Sequence, residues 1–289
     1  MVQIAARSEL PSLKLDRAFI FGGAYGNLQA TEAILSEAKR RGFSSDEIIF
    51  TGDCVAYCGQ PQETADLIRL SGVNTIMGNC EEALANDFDT CGCGFEEGTV
   101  CNLLSDQWFR FCRETVNQET KSWMGTLPKQ LELEIGAMHF LVCHATPGSI
   151  NRFIFPSTFD QNHFDVSQNG PFDGYIVGHS GIPFVREQAD RLWVNSGAAG
   201  MPANDGTPRV WFATLQTFNG ALSVTTEPLT YDHNIAMDVM ESKGLVNGYQ
   251  DCLETGIWPS HDVLPEIETA ATGNALQPLS FDWLHRTAA

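Results

Sequence analysis

The sequence predicts an α/β fold in which two β-sheets pack face to face with helices outside. Three observations carry this. Short apolar runs such as Ile48-Ile49-Phe50 and Tyr175-Ile176-Val177 lack polar alternation, the pattern of fully buried strands. Over residues 17–124 such runs alternate with helix-length segments, as β–α–β units with right-handed crossovers require. After Leu127-Pro128 the chain turns strand-rich, which calls for a second sheet against the first.

Taken in order, residues 1–16 read as a loose leader. Arg17 to Phe21 is the first strand, and Gly22 to Asn27 a turn. A helix follows from Leu28 to Arg41, with Leu28, Ala30, Ala33, Ile34 and Leu35 apolar, Lys39, Arg40 and Arg41 in its last turn, and Gly42 at its end. Glu47 to Phe50 is the second strand, Gln62 to Ser71 a helix closed by Gly72, and Val73 to Met77 a third strand. Glu81 to Asn86 begins a helix that runs into the Gly- and Cys-rich stretch 88–98. Residues 99–124 read as helical, with Trp108, Phe109, Phe111 and Cys112 grouped for burial. Gln130 to Gly136 and Ala137 to Cys143 form a hairpin. Residues 175–177, 191–195, 209–215 and 221–227 are further strands, and 232–243 and 248–255 helices. From Ile257 onward Pro259, Pro265 and Pro278 mark an extended tail that Trp283 and Leu284 dock. The reading is therefore one domain over 17–257, a leader over 1–16 and a packed tail over 258–289.

The chain has 289 residues, 43% of them hydrophobic, which supports a substantial core. Lys and Arg number 17 against 36 Asp and Glu, a formal charge of −19. Such a surface repels phosphate backbones, so a nucleic-acid polymer and an anionic membrane are excluded as partners. The first residues lack the apolar core of a signal peptide, and no stretch approaches the roughly 18 apolar residues of a membrane span. A cytoplasmic location with reduced thiols follows as the expectation for the nine cysteines. Cys91, Cys93 and Cys101 lack the matching second pair of a zinc site and read as idle thiols.

The chemistry gathers where apolar runs end. Ile48–Phe50 leads to Gly52-Asp53, Thr75–Met77 to Gly78-Asn79-Cys80-Glu81, Phe140–Cys143 to His144, and Tyr175–Val177 to Gly178-His179. Strand ends at the carboxyl edge of an open sheet are where ligands collect. An Asp, an Asn and two His delivered to one edge describe a divalent transition-metal site suited to Zn, Mn or Fe.

In that order these motifs resemble the calcineurin-like metallophosphoesterases, and most closely the small bacterial branch of phosphodiesterases and diadenosine-tetraphosphatase-like proteins. The resemblance extends to Val55-Ala56-Tyr57, Gln60-Pro61, Asn195-Ser196-Gly197, Pro208-Arg209 and Tyr231-Asp232. It implies a four-layer αββα sandwich and hydrolysis of a phosphomonoester or phosphodiester, in a small substrate that a nucleotide would exemplify. It also implies two ions about 3.5–4 Å apart. The ligands of one ion are complete here: Asp53, Asn79, His144 and His179. Those of the other are not. Gly23 and Tyr25 stand where the family pattern has Asp and His, and Gly181 where it has a second His.

Loss of three ligands from one site and none from the other predicts a single-metal centre. One ion with open positions still acidifies water, although half of the charge clamp on the transition state is gone. The competing reading is a catalytically silent protein on the same fold that binds or senses a small phosphorylated ligand. The resemblance makes Asp53 and Asn79 catalytic as well as metal-binding, and gives Cys80 the place of a leaving-group acid. Asn27, Tyr25 and Arg209 are the candidate phosphate contacts. A dinucleotide-binding reading of Phe19–Asn27 fails on its glycine spacing, and Asp53 lies too far along the chain.

Overall fold

The computed structural model describes residues 10–160, 172–218 and 220–284. Two six-stranded mixed sheets lie face to face, flanked by helices, as the sequence predicts. The first has the order β1 (Ser12–Leu15), β5 (Gln130–Ile135), β6 (Met138–Cys143), β7 (Gly174–Val177), β9 (Arg191–Asn195), β8 (Phe184–Gln188). The second runs β12 (Leu279–Trp283), β11 (Ala221–Leu229), β10 (Val210–Phe218), β2 (Arg17–Phe21), β3 (Ile48–Phe50), β4 (Asn74–Thr75). Strands β2, β3 and β4 run parallel to one another, and so do β6, β7 and β9. Their carboxyl ends carry the site.

Strand β2 shows why its sequence has no polar face. Ala18 and Ile20 point between the sheets, where they meet Ile49, Leu133, Phe140, Ile176 and Val194. Phe19 and Phe21 point the other way, into the core with α1 (Leu28–Arg40), α2 (Pro61–Ser71) and α4 (Val100–Thr115). Alternate residues face opposite ways, so a strand in a four-layer fold must be apolar throughout. Fully burying such a side chain contributes about 1.5–3 kcal/mol.

Several expectations are corrected. Residues 12–15 are not a loose leader: β1 pairs in parallel with β5, and Leu13 and Leu15 pack against the inter-sheet core. The strand expected over 73–77 shortens to two residues before α3 (Asn79–Ala85). The helical stretch 99–124 divides into α4 and α5 (Gln118–Met124), because Asn117 turns out of the helix and caps the second one through the Thr120 amide at 2.8 Å. Strand β8 was not read at all. Helices α6 (His233–Ser242) and α7 (Gly248–Thr255) match the expected pair. The tail carries a short helix, α8 (Glu266–Ala270), and then β12, which extends the second sheet beside β11. Trp283 enters the inter-sheet core while Leu284 stays exposed.

Candidate metal centre

Asp53 follows β3 through Thr51-Gly52, His144 follows β6 directly, and His179 follows β7 through Gly178. Asn79 opens α3 behind β4. All four are buried. The ligand atoms of Asp53, His144 and His179 lie within 4.8 Å of one another. His144 Nε2 stands 3.1 Å from Asp53 Oδ2, 3.1 Å from Asn79 Oδ1 and 3.2 Å from His179 Nδ1. Ligands about 2.0–2.1 Å from a tetrahedral ion are separated by about 3.3 Å, and His144 Nε2 is within a few tenths of an ångström of that spacing from each of the other three donors.

Three of the four donors are oriented by a partner behind them. The His144 Nδ1–H donates to the Thr51 carbonyl at 2.6 Å, which leaves the Nε2 lone pair facing the centre. Asn79 Nδ2 donates to the Cys91 carbonyl at 3.0 Å and contacts Cys93 Sγ at 3.3 Å, so Oδ1 turns inward. The Cys80 amide donates to Asp53 Oδ1 at 3.0 Å, leaving Oδ2 for the centre. Behind these sits Glu81, fully buried. Its Oε2 accepts from the Asp53 and Gly78 amides and its Oε1 from the Cys54 amide, each at 2.7 Å. This clamp fixes a turn in which Asp53 has φ 63°. Gly78 is required there because a Cβ would stand 2.4 Å from Asp53 Oδ1.

Against burial, the Asp53 charge raises His144, so a cation bound at Nε2 would take the place of a proton there. Burial opposes ionisation of Asp53, yet His144, His179 and the Cys80 amide outweigh it and hold the carboxyl below its usual range. Burial and the neighbouring His144 push His179 down to about 3, so its ring stays neutral with a lone pair available. His179 Nε2 has no hydrogen-bond partner among the described residues. Burial and the Asp53 charge raise Glu81. Tyr25, Asp53, Tyr57 and His179 all have positive φ, at 54°, 63°, 21° and 60°. Such backbone conformations are costly away from glycine and gather at functional sites.

A family model, the calcineurin-like phosphoesterase superfamily domain, matches residues 24–219. The chain belongs to that superfamily. An uncharacterized protein of Methanocaldococcus jannaschii is 28% identical over 180 residues, which are 62% of this chain and 68% of the relative. A metallophosphoesterase from Sphaerobacter thermophilus superposes with a TM-score of 0.65 at 22% identity, over 83% of this chain and 99% of that one. A hypothetical protein from Pyrococcus horikoshii superposes with a TM-score of 0.66 at 18% identity, over 85% and 100%. At these identities the two structures speak for the fold alone.

The space beside Gly23 and Gly181, two positions where the sequence was expected to depart from a second ion's ligands, is taken by aromatic rings. A Cβ at Gly23 would stand 2.6 Å from the Tyr25 ring, so the phenol fills the volume a side chain at 23 would use. A Cβ at Gly181 would meet the Trp258 ring at 3.2 Å. Beside them a cavity opens onto His179 and Ser180, walled by Tyr25, Tyr57, Phe153, Tyr249 and Trp258. Tyr57 lay in a quoted motif, but Tyr249 and Trp258 stood in stretches read only as helix and tail. Nothing local in their sequence marks them.

Two candidate phosphate contacts are corrected. Asn27 is spent on structure: its Oδ1 caps α1 by accepting from the Ala30 amide, and its Nδ2 donates to the Gly200 carbonyl and the Tyr231 hydroxyl. Arg209 donates to Asp205 and to the Leu276 carbonyl, lies over the Trp211 ring, and does not line the cavity. Cys80, expected to act through its sulfur, instead contributes its backbone amide to Asp53. Burial, with Asp53 and Glu81 nearby, pushes its thiol up, so it stays protonated. Cys91 and Cys93 are joined by a disulfide in place of the idle thiols expected, while Cys101 lines the cavity.

Proposed function

We propose that this protein hydrolyses phosphate esters of a small molecule at a single divalent transition metal, Zn, Mn or Fe, held by Asp53, Asn79, His144 and His179. The observation that carries this is the convergence of three acceptor atoms on His144 Nε2 at 3.1–3.2 Å, two of them, Asp53 Oδ2 and Asn79 Oδ1, turned inward by hydrogen bonds behind them. Membership of a phosphoesterase superfamily supports the reaction class. When bound, the ion supplies positive charge for phosphoryl oxygens and acidity for an attacking water.

The chain's own residues do the rest. The Thr51 carbonyl fixes the His144 tautomer, and Glu81 holds the Asp53 backbone. Tyr25, the one candidate phosphate contact that lines the cavity, directs its phenol beside Asp53, where an O–H can donate to a phosphoryl oxygen. The charge of −19 favours a small phosphorylated ligand over a nucleic-acid polymer or an anionic membrane.

A second reading, a binder that turns nothing over, is favoured by the aromatic filling of the Gly23 and Gly181 positions. Metal analysis of protein purified without chelator, followed by assay of mono- and diester p-nitrophenyl phosphates with added Zn, Mn or Fe, separates the two. About one ion per chain, lost in Asp53→Ala and His179→Ala together with hydrolysis, is the expected result. Two ions per chain would refute the single-metal centre. One ion without hydrolysis under any metal would establish the binder.

A further inference from the structure

We propose that the cavity beside His179 is a slot for a planar ring, so that the ester held at the centre carries an aromatic or heteroaromatic group. This rests on the phosphoesterase reading and names its substrate class. Six aromatic side chains line the cavity: Tyr25, Tyr57, Phe95, Phe153, Tyr249 and Trp258. No Lys, Arg, Asp or Glu is among its lining residues. The arginines that lie over rings do so elsewhere, at Phe43, Phe184, Phe212 and Trp211. On a chain with 17 basic and 36 acidic residues, a pocket without charge of either sign is suited to an uncharged group.

Shape separates a ring from a quaternary ammonium, the other ligand that aromatic walls attract. An ammonium cage sets its rings at steep angles around a point. Here two pairs of lining rings are stacked, Tyr57 and Tyr249 with centroids 4.2 Å apart at 27° and Phe95 and Phe153 at 6.1 Å and 18°, while Tyr25 meets Tyr57 edge-on at 68°. Such slabs match a flat ligand. The cavity holds about 50 Å³, room for roughly four waters and a third of the ~150 Å³ that encloses a benzene, so a ring seated here stands partly in its open mouth.

The edges of the slot are polar in the way a heteroaromatic ring can use. The hydroxyls of Tyr25, Tyr57 and Tyr249 have no hydrogen bond to any described residue, although Tyr25 and Tyr249 are each only 6% exposed. None of these oxygens is a fully enclosed polar atom, so they open onto the cavity they line and leave hydrogen-bonding capacity for a ligand. His179 forms one wall, so a ring seated here carries its ester bond toward Asp53 and His144.

The test is calorimetry on the metal-loaded full chain with two inert phosphonates, phenylphosphonate and methylphosphonate, and with neutral indole. Phenylphosphonate should bind at least fivefold tighter, the low end of what stacking a ring on an aromatic contributes. Tyr249→Leu should abolish that preference and leave methylphosphonate affinity unchanged, which also shows that the variant is folded; Tyr249→Phe should keep the preference. Equal affinity of the two phosphonates in the wild type would overturn the slot, as would tighter binding of a trimethylammonium-bearing phosphonate. Saturable indole binding, lost in Tyr249→Leu, with neither phosphonate bound would uphold the slot and overturn the phosphoesterase reading.

Discussion

Replacing Glu81 with Ala tests whether the metal centre is held together from behind. The carboxylate touches none of the cavity and accepts three backbone N–H groups at 2.7 Å, from Asp53, Cys54 and Gly78. All four residues are buried or enclosed in the same turn, so water cannot replace the lost acceptor. An unsatisfied buried donor costs about 1–3 kcal/mol, and three of them together about 3–9 kcal/mol. The lower half of that range is expected, since the cavity left by the side chain lets the turn relax. Against a total stability of about 5–15 kcal/mol the loss is large. Glu81→Gln keeps one carbonyl oxygen but sets an amide N–H₂ against a backbone N–H, so it should fall between wild type and Ala.

Urea unfolding of the three proteins gives the free energies, and metal analysis gives the occupancy. The expected order is wild type, Gln, Ala in stability, with metal lost from Ala because Asp53 no longer keeps its φ of 63°. A loss below 1 kcal/mol in Glu81→Ala, with full metal occupancy, would refute the clamp. The Asp53 turn would then be held by the chain around it.

Two further predictions follow from particular contacts. Gly23→Ala puts a Cβ 2.6 Å from the Tyr25 ring at φ 60° and should cost about 1–3 kcal/mol. Much of that should be recovered in the Gly23→Ala/Tyr25→Ala pair relative to Tyr25→Ala, and strict additivity in a thermal-melt cycle would show that the phenol does not fill the position-23 volume. Hydrogen bonds from Arg40 and then Arg41 hold Glu37 down to about 2, and Arg17 does the same for Glu47, also to about 2. Both folded values lie below the ordinary 4.5, so their stabilisation is complete above about pH 4.5 and is lost as pH falls toward 2. The urea midpoint should drop across that window, and less steeply in Glu37→Gln; an unchanged slope would exclude the Glu37 pairs as a source of acid sensitivity.

The cluster of candidate metal ligands was legible in the sequence because each member depends on local structure. An apolar run ending at Gly-Asp, Gly-Asn, His or Gly-His sets where a strand stops and what stands at its carboxyl end, and four such ends in order point to one edge. The departures at Gly23, Tyr25 and Gly181 were visible for the same reason. Elements set by alternation alone were less secure. Leu13 and Leu15 alternate over only four residues and β12 follows a proline, so the first was read as a loose leader and the second as an extended packed tail, and their pairing with β5 and β11 makes both strands.

The partners of polar side chains were decided by the tertiary structure. Asn27 looked free for an anion, yet Gly200 and Tyr231, 173 and 204 residues away, consume its amide. Arg209 finds Leu276 67 residues on, as well as Asp205 beside it. The aromatic cavity is assembled from the β2 and β3 loops, the segment after β6, α7 and the first residue of the presumed tail. A hydrogen bond or a ring stack is a short-range interaction between atoms that sequence separation does not order. Strand ends carry their own position along the chain, and the uses of Asn27, Arg209, Tyr249 and Trp258 exist only once the two sheets have closed.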